Sequence, residues 1–194
     1  MRELREDLRL IYDWIAPNSK VLDLGCGGCR LLAALVEEKN CIGYGVELDT
    51  DSVIAAMDLG VNVIQSDLES GLRHGFTDNS FDVVVLSQTI QAMKNTEIIL
   101  QEMKRVARQA IVTFPNFGYW RNRLQIAQGR MPVSESMPYE WYNTPNIHWC
   151  TLADFDALCE KNGLAVLERT VMSGGKRIDF LPNLLGSLAF YRVG

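Results

Sequence analysis

Basic surplus, histidine and long apolar runs are what this sequence has least of. It carries a net charge of −5 and two histidines in 194 residues. An acidic chain has no general affinity for nucleic acid, because phosphate binding draws on a surplus of Lys and Arg. No stretch approaches the roughly 20 apolar residues of a membrane span. The first residues, Met-Arg-Glu-Leu-Arg-Glu-Asp, lack the apolar core of a signal peptide, so the expected location is the cytoplasm. Five cysteines are an odd number, and in a reducing compartment no structural disulfide is expected. Cys26-x-x-Cys29 has a redox or metal spacing, but a structural zinc needs four ligands and no second paired motif exists. No metal and no chemistry at this pair are expected, and Cys41, Cys150 and Cys159 read as core residues in apolar contexts.

Low-complexity tracts and internal repeats are also missing. With 47% apolar and 22% charged residues the composition is that of a folded globular protein. The length is enough to bury a full core without metal or disulfide staples. One domain over 1–194 is expected, with little left for a separate substrate domain. The charge is uneven. Residues 1–100 hold 8 basic and 16 acidic side chains, and residues 101–194 hold 11 and 8. From Lys104 to Arg130 there are six basic residues and no acidic one, which reads first as a solvated helical face and second as a contact for an anionic ligand or an acidic partner.

Strand-length apolar runs alternate with helical patterns. Helices are expected over 1–16, 30–39, 50–59, 95–107, 119–128 and 152–162. Strands are expected over 20–24, 41–46, 61–65, 80–87, 110–114, 164–171 and 187–193. Such alternation predicts a doubly wound, mostly parallel α/β sheet of seven strands with one antiparallel strand. A helix and a long Pro- and aromatic-rich loop, about 116–150, are inserted late in the chain. A loop of that length is more often functional than idle.

The densest chemistry lies in Val21-Leu22-Asp23-Leu24-Gly25-Cys26-Gly27-Gly28, where the first strand meets the first crossover helix. Ligands of doubly wound sheets bind at the carboxyl ends of strands, where the strand order reverses. Glycines there let the backbone approach a ligand. Glu47 ends the second strand, where an acid can accept hydrogen bonds from both ribose hydroxyls. Asp67-Leu68 follows the third strand, suited to an adenine amino group and ring, and Phe81-Asp82 opens the fourth. A dinucleotide fingerprint would need a third glycine where Arg30 stands. Asp23 beside the turn suits a cationic ligand better than a pyrophosphate, namely the ammonium and sulfonium of S-adenosylmethionine.

These residues resemble the class I S-adenosylmethionine-dependent methyltransferases. Several later segments are similar to the MetW family of bacterial methionine-biosynthesis proteins: Ser87-Gln88-Thr89-Ile90-Gln91, Phe114-Pro115-Asn116-Phe117-Gly118, Gly129-Arg130-Met131-Pro132, and residues 138–148 from Pro138 to His148. The resemblance implies a fold that holds S-adenosylmethionine or S-adenosylhomocysteine, with homoserine O-acetyltransferase as protein partner and no established methyl acceptor. It implies a cofactor set of Asp23, Gly25, Cys26, Gly27, Glu47, Leu48, Asp67, Leu68 and Ser87. The chain departs from the family's usual Gly-Cys-Gly-Asp-Gly turn. It reads Gly25-Cys26-Gly27-Gly28-Cys29, and the side chain of Cys29 is expected to crowd the ligand or the helix start.

Candidate catalytic groups are few. Gln88 and Gln91 follow the fourth strand, where an acceptor approaches in this fold, and amides orient polar molecules but accept protons poorly. No Asn/Asp-Pro-Pro-Tyr motif is present, which argues against amino methylation of nucleic-acid bases. Methyl transfer needs chiefly alignment, so the lack of an obvious base leaves catalysis open. His148 in the aromatic loop reads either as an acceptor-site base or a gate over the cofactor, or as a hydrogen-bonded anchor of the loop. His74 reads as surface. Trp120, Arg121, Arg123, Tyr139 and Trp141 are the residue types that protein interfaces favour, and they serve either as a docking surface or as packing beneath the loop.

Overall fold

The structure, a computed structural model, describes residues 4–69 and 75–194. Its parallel strands are β1 (Lys20–Leu24), β2 (Ile42–Glu47), β3 (Asn62–Gln65), β4 (Phe81–Ser87) and β5 (Ala107–Pro115). They come from short runs that are most apolar and most buried at the centre, in β1 and β4, as a helix-covered sheet requires, while β3 at the edge is largely exposed. Helices α1 (Glu6–Trp14), α2 (Arg30–Lys39), α3 (Thr50–Asp58) and α4 (Thr96–Val106) accompany them. Then come α5 (Trp120–Ala127), α6 (Leu152–Lys161), β6 (Val166–Ser173), β7 (Lys176–Arg177), the short α7 (Pro182–Leu185) and β8 (Leu188–Val193).

The sheet order is β3-β2-β1-β4-β5-β8-β6-β7. The chain walks outward from β1 to β3 and then returns to lay β4 on the other side of β1. That reversal opens a crevice at the carboxyl ends of β1 and β4, the usual ligand position in such sheets. The doubly wound fold expected from the sequence is present, with β8 as its antiparallel strand between β5 and β6, and with one addition: a further two-residue strand, β7, makes eight. The addition is a hairpin in which Gly174 and Gly175 both adopt positive φ (54° and 71°), as a tight two-residue turn demands. β5 also starts three residues earlier than its apolar run, because Ala107 pairs with Phe81.

Alternate strand residues serve opposite faces. Leu22, Leu24, Val84, Leu86, Val112 and Phe114 pack with α4 and α6. Val21, Val83, Val85 and Ile111 pack with α1, α2 and Ala56 of α3. Phe114 closes the first face with Phe155 and Tyr191, their ring centroids 4.8 and 5.7 Å from its own.

The segment 128–150 has a single isolated strand-like bridge, Ser134 to Met137. It is held at its ends by backbone bonds. Phe117 donates to the Cys150 carbonyl (2.9 Å), and the amides of Ile147 and His148 both donate to the Gln91 carbonyl (2.8 and 3.0 Å). Asn116 explains the motif at its base. It is fully buried, donates to the carbonyls of Asn183 and Gly186 (3.1 and 2.8 Å), and accepts from Gly118 N–H (3.0 Å). A side chain at Gly118 would lie 2.6 Å from Asn183 Oδ1, so glycine is required there.

Replacing Asn116 by Ala strands a buried N–H and two carbonyls. The expected loss is about 1–3 kcal/mol in urea unfolding. An unchanged midpoint would contradict this account of the motif.

Candidate functional site

β1 ends in a turn whose geometry follows from its residues. Gly25 and Gly27 take positive φ (70° and 52°), and Cys29, the N-cap of α2, is also left-handed at 52°. A left-handed backbone favours glycine, and this chain places a cysteine there. Gly25 is also a place of close approach, since a Cβ there would lie 2.8 Å from Thr89 Oγ1. The turn is tied to β2 by Glu47. Its Oε2 accepts from Gly27 N–H (2.7 Å), and its Oε1 accepts from Leu48 and Asp49 N–H (2.8 and 3.0 Å).

Beside the turn is a cavity of about 300 Å3, walled by Asp23, Gly25, Cys26, Gly27 and Gly28 from below, Ser87 from β4, and Leu4, Arg5 and Leu8 from above. Asp23 is 3% exposed, and its Oδ1 is buried with no hydrogen-bond partner. Burial pushes its carboxyl up to about 7, and the negative charge of Glu47 adds to the shift. A buried acceptor left unmet is costly. A cationic donor entering the cavity would satisfy it and draw the carboxylate back to its charged form. The residues present therefore fit an adenosyl sulfonium amino acid: Asp23 for a cationic group, the glycine amides for close approach, Glu47 for ribose hydroxyls.

A second cavity, of about 590 Å3, opens beyond Gln88. Arg5 lines both cavities. Asp7 joins them: it accepts from Arg5 (3.0 Å) and from Gln88 Nε2 (2.7 Å). Gln88 itself is held at φ 49° by the carbonyl and hydroxyl of Thr113 (3.0 Å each), and Gln91 Nε2 donates back to its carbonyl (2.7 Å). Gln91 and Tyr139 also line this second cavity. Ser87 Oγ lies 3.2 Å from Thr113 Oγ1.

The fold thus brings Asp23, Gly25, Cys26, Gly27 and Ser87 into one cavity, with Glu47 behind the turn. Asp67 and Leu48 are exposed at the ends of β3 and β2, outside that cavity, and Leu68 is half-buried against the core. Gln88 is in the second cavity. His148 is exposed and lines neither cavity, its backbone held by Gln91. His74 lies outside the described residues. Trp120 is 40% and Trp141 71% exposed. Arg121 stacks over Trp120 at 5.4 Å, while Arg123 donates to the Gly118 carbonyl (2.6 Å).

The basic run does not form one helical face. Lys104 and Arg105 lie on α4, Arg108 on β5, Arg121 and Arg123 on α5, and Arg130 in the loop. Lys104 donates to the Gly163 carbonyl (2.7 Å), and Arg105 is engaged by Glu102 and Asp78. The chain's linear charge run is thereby dispersed by its own topology.

At the turn one expectation is overturned, and so is the ligand-side half of a second. Cys26 and Cys29 are joined as a disulfide, while Cys41, Cys150 and Cys159 are free. The turn itself brings them together: Cys29 N–H donates to the Cys26 carbonyl (2.9 Å), which sets the Cα atoms 4.9 Å apart, within the span a disulfide needs. Nor does Cys29 crowd the ligand space. Its side chain is fully buried outside the cavity wall. Sequence reasoning missed Arg5 and Asp7, whose only signal was the polar face of an amphipathic helix.

A family model described as "Methionine biosynthesis protein MetW" matches residues 5–193. The bifunctional methionine biosynthesis protein MetXA/MetW of Rhodopirellula baltica is 36% identical over 206 residues, covering 97% of this chain and 33% of that protein. The chain thus spans about a third of that relative's length. Among solved structures, an S-adenosylmethionine-dependent methyltransferase of Thermotoga maritima superposes with a TM-score of 0.69 at 19% identity, covering 97% of this chain and 86% of that one. A TehB-like S-adenosylmethionine-dependent methyltransferase of Corynebacterium glutamicum gives 0.66 at 16% identity, covering 99% and 88%. At these identities the two structures establish the fold. With the family match running over residues 5–193, the chain belongs to the MetW family of methionine biosynthesis proteins, built on the class I methyltransferase fold.

Proposed function

We propose that this chain binds S-adenosylmethionine or S-adenosylhomocysteine at the β1 turn and acts as an accessory or regulatory partner of homoserine O-acetyltransferase. The observation that carries the ligand half is Asp23, a buried carboxylate with an unmet acceptor in the wall of the 300 Å3 cavity. Glu47 would take the ribose, and Asp67 with Leu68 the adenine. The partner half is supported by the MetXA/MetW relative, in which both names attach to one chain. Trp120, Arg121, Arg123, Tyr139 and Trp141 are the candidate contact residues. Feedback is physically sensible: an adenosyl ligand made downstream of methionine shifts the partner's activity if it binds two states of the complex with different affinity.

A second reading is catalytic transfer of the methyl group to a small polar acceptor. It is favoured by the 590 Å3 cavity next to the turn, lined by Gln88, Gln91 and Tyr139. The chain's own residues would orient the acceptor there. Gln88 is the candidate orienting group, and His148 is exposed and does not line the cavity.

Asp23→Asn should weaken S-adenosylhomocysteine binding by at least about tenfold in calorimetric titration, the worth of a hydrogen bond to a charged group. Affinity in the parent protein should fall as pH drops below about 7, since the cation binds the carboxylate form. Stability of the ligand-free protein moves oppositely. The folded carboxyl keeps its proton to about pH 7 while the unfolded one releases it near 3.8, so this contribution is full below about pH 4 and is lost as pH rises to about 7. Asp23→Asn should therefore raise Tm at pH 8 by about 2–4 °C or more. A pH-independent affinity would refute the assigned role of Asp23.

Co-purification with homoserine O-acetyltransferase, and assay of acylation with and without this chain, tests the partner. Trp141→Ala should weaken the association about 30-fold at an interface hot spot and leave Tm unchanged. Neither association nor a rate change would sink the accessory role. For the catalytic reading, methyl-labelled S-adenosylmethionine incubated with cell extract should mark an acceptor in a Glu47-dependent way. Measured cofactor binding with no transfer would reject it.

A further inference from the structure

The Cys26–Cys29 disulfide sits in the one turn that the cofactor must approach. Its two sulfurs differ in environment. Cys29 is fully buried, whereas Cys26 is half-buried and lines the 300 Å3 cavity. Both sulfurs press on β2 at Gly45. A Cβ there would lie 2.5 Å from Cys26 Sγ and 2.8 Å from Cys29 Sγ, so only glycine leaves room for the pair. β2 therefore carries a notch for the two sulfurs, two residues before Glu47. The disulfide bridges the ends of the hydrogen-bonded turn, holding Gly27 where its amide meets Glu47 (2.7 Å). Metal binding is the other chemistry of such a pair. No group of three or more His, Cys, Asp or Glu side chains able to hold a metal occurs among the described residues.

We propose that Cys26 and Cys29 are a reversible dithiol–disulfide couple that sets the affinity of the turn for its adenosyl ligand. This rests on the ligand reading above. The co-reactant is a low-molecular-weight thiol and its disulfide. In reduction, the thiolate of the small thiol attacks Sγ of Cys26, the half-buried residue of the pair. The Cys26–Cys29 bond breaks, and Cys29 leaves as a thiolate that takes up a proton. A second thiol attacks the mixed disulfide, freeing Cys26 and releasing the small disulfide. The protein gains two electrons and two protons, and two small thiols lose them.

The oxidised form is the high-affinity state. The bridge removes turn conformations that binding would otherwise have to freeze out. Reduction separates the sulfurs, and the Gly45 notch forces Cys26, the one in the cavity wall, to give way. By linkage, a ligand that prefers the oxidised turn protects the disulfide by the same factor.

The test uses the full chain, oxidised with glutathione disulfide or reduced with dithiothreitol. Alkylation after denaturation, read by mass spectrometry, should count three thiols in the oxidised protein and five in the reduced one. Calorimetric titration with S-adenosylhomocysteine should give about 3- to 10-fold tighter binding to the oxidised form. Saturating ligand should lower the midpoint of the couple by about 15–30 mV, the same factor expressed as a potential. Cys29→Gly, which suits the left-handed backbone, should bind with one affinity in both buffers. Five reactive thiols after glutathione disulfide, or equal affinities in the two states, overturn the switch and leave the ligand reading standing. Absence of binding in both states and in Cys29→Gly overturns the ligand reading and the switch with it.

Discussion

A buried carboxylate with an unmet hydrogen bond governs this site. Asp23 sits at the end of β1, under the point where the sheet reverses its strand order, and nothing among the described residues pairs its Oδ1. Burial raises its affinity for a proton, so the ligand-free chain carries the cost of a polar group held ready. The neighbouring elements arrange themselves around that group. The glycine turn removes side chains from its approach, Glu47 pins the turn to β2, and α1 with the residues just before it supplies Leu4, Arg5 and Leu8 to the opposite wall.

The second organising feature is the short segment after β4. Gln88 receives α1 through Asp7, and Gln91 receives the long loop through its carbonyl. Two pieces distant in sequence are thus fastened to one turn, at the seam between the small cavity and the large one. A ligand that moved Gln88 would act on α1 through Asp7 and on the loop through Gln91. That is a physical route by which occupancy of the turn can reach the exposed aromatic residues Tyr139, Trp141 and Tyr142. The Cys26–Cys29 bridge adds a covalent constraint on the opposite side of the same turn.

Membership of the MetW family and the methyltransferase fold fix the architecture and the biosynthetic context. They do not make the protein a methyl-transfer catalyst, because the fold hosts its function in the site rather than in the sheet. On the reading proposed above the site takes an adenosyl ligand, and its acceptor apparatus is spare: amides rather than bases, and a histidine that lines neither cavity. The same spareness suits a protein that reports ligand to a partner.

Much of this was legible in the sequence, for identifiable reasons. β1 and α2 fall at the residues expected, because a buried apolar run and a Leu/Ala-rich segment are separated by a glycine turn that leaves one solution. Asp23, the turn glycines and Glu47 were readable because strand ends are short-range features. Glycine marks two of the turn's left-handed positions, Gly25 and Gly27, but the third falls on Cys29 and Gly28 is not left-handed, so the sequence disclosed the turn without disclosing its full backbone path. Tertiary structure alone decided the rest. Gly174-Gly175 formed a hairpin only because β6 offered an edge, and the basic run scattered because its residues belong to four different elements. Arg5 and Asp7 reached the site because α1 packs across the strand ends, a contact of 81 residues' separation for Asp7 and Gln88. Cys26 and Cys29 became a disulfide because the turn and the glycine of a neighbouring strand gave both sulfurs one place to go. Local chemistry is written along the chain, whereas proximity between distant residues exists only once the sheet has closed the loops between them.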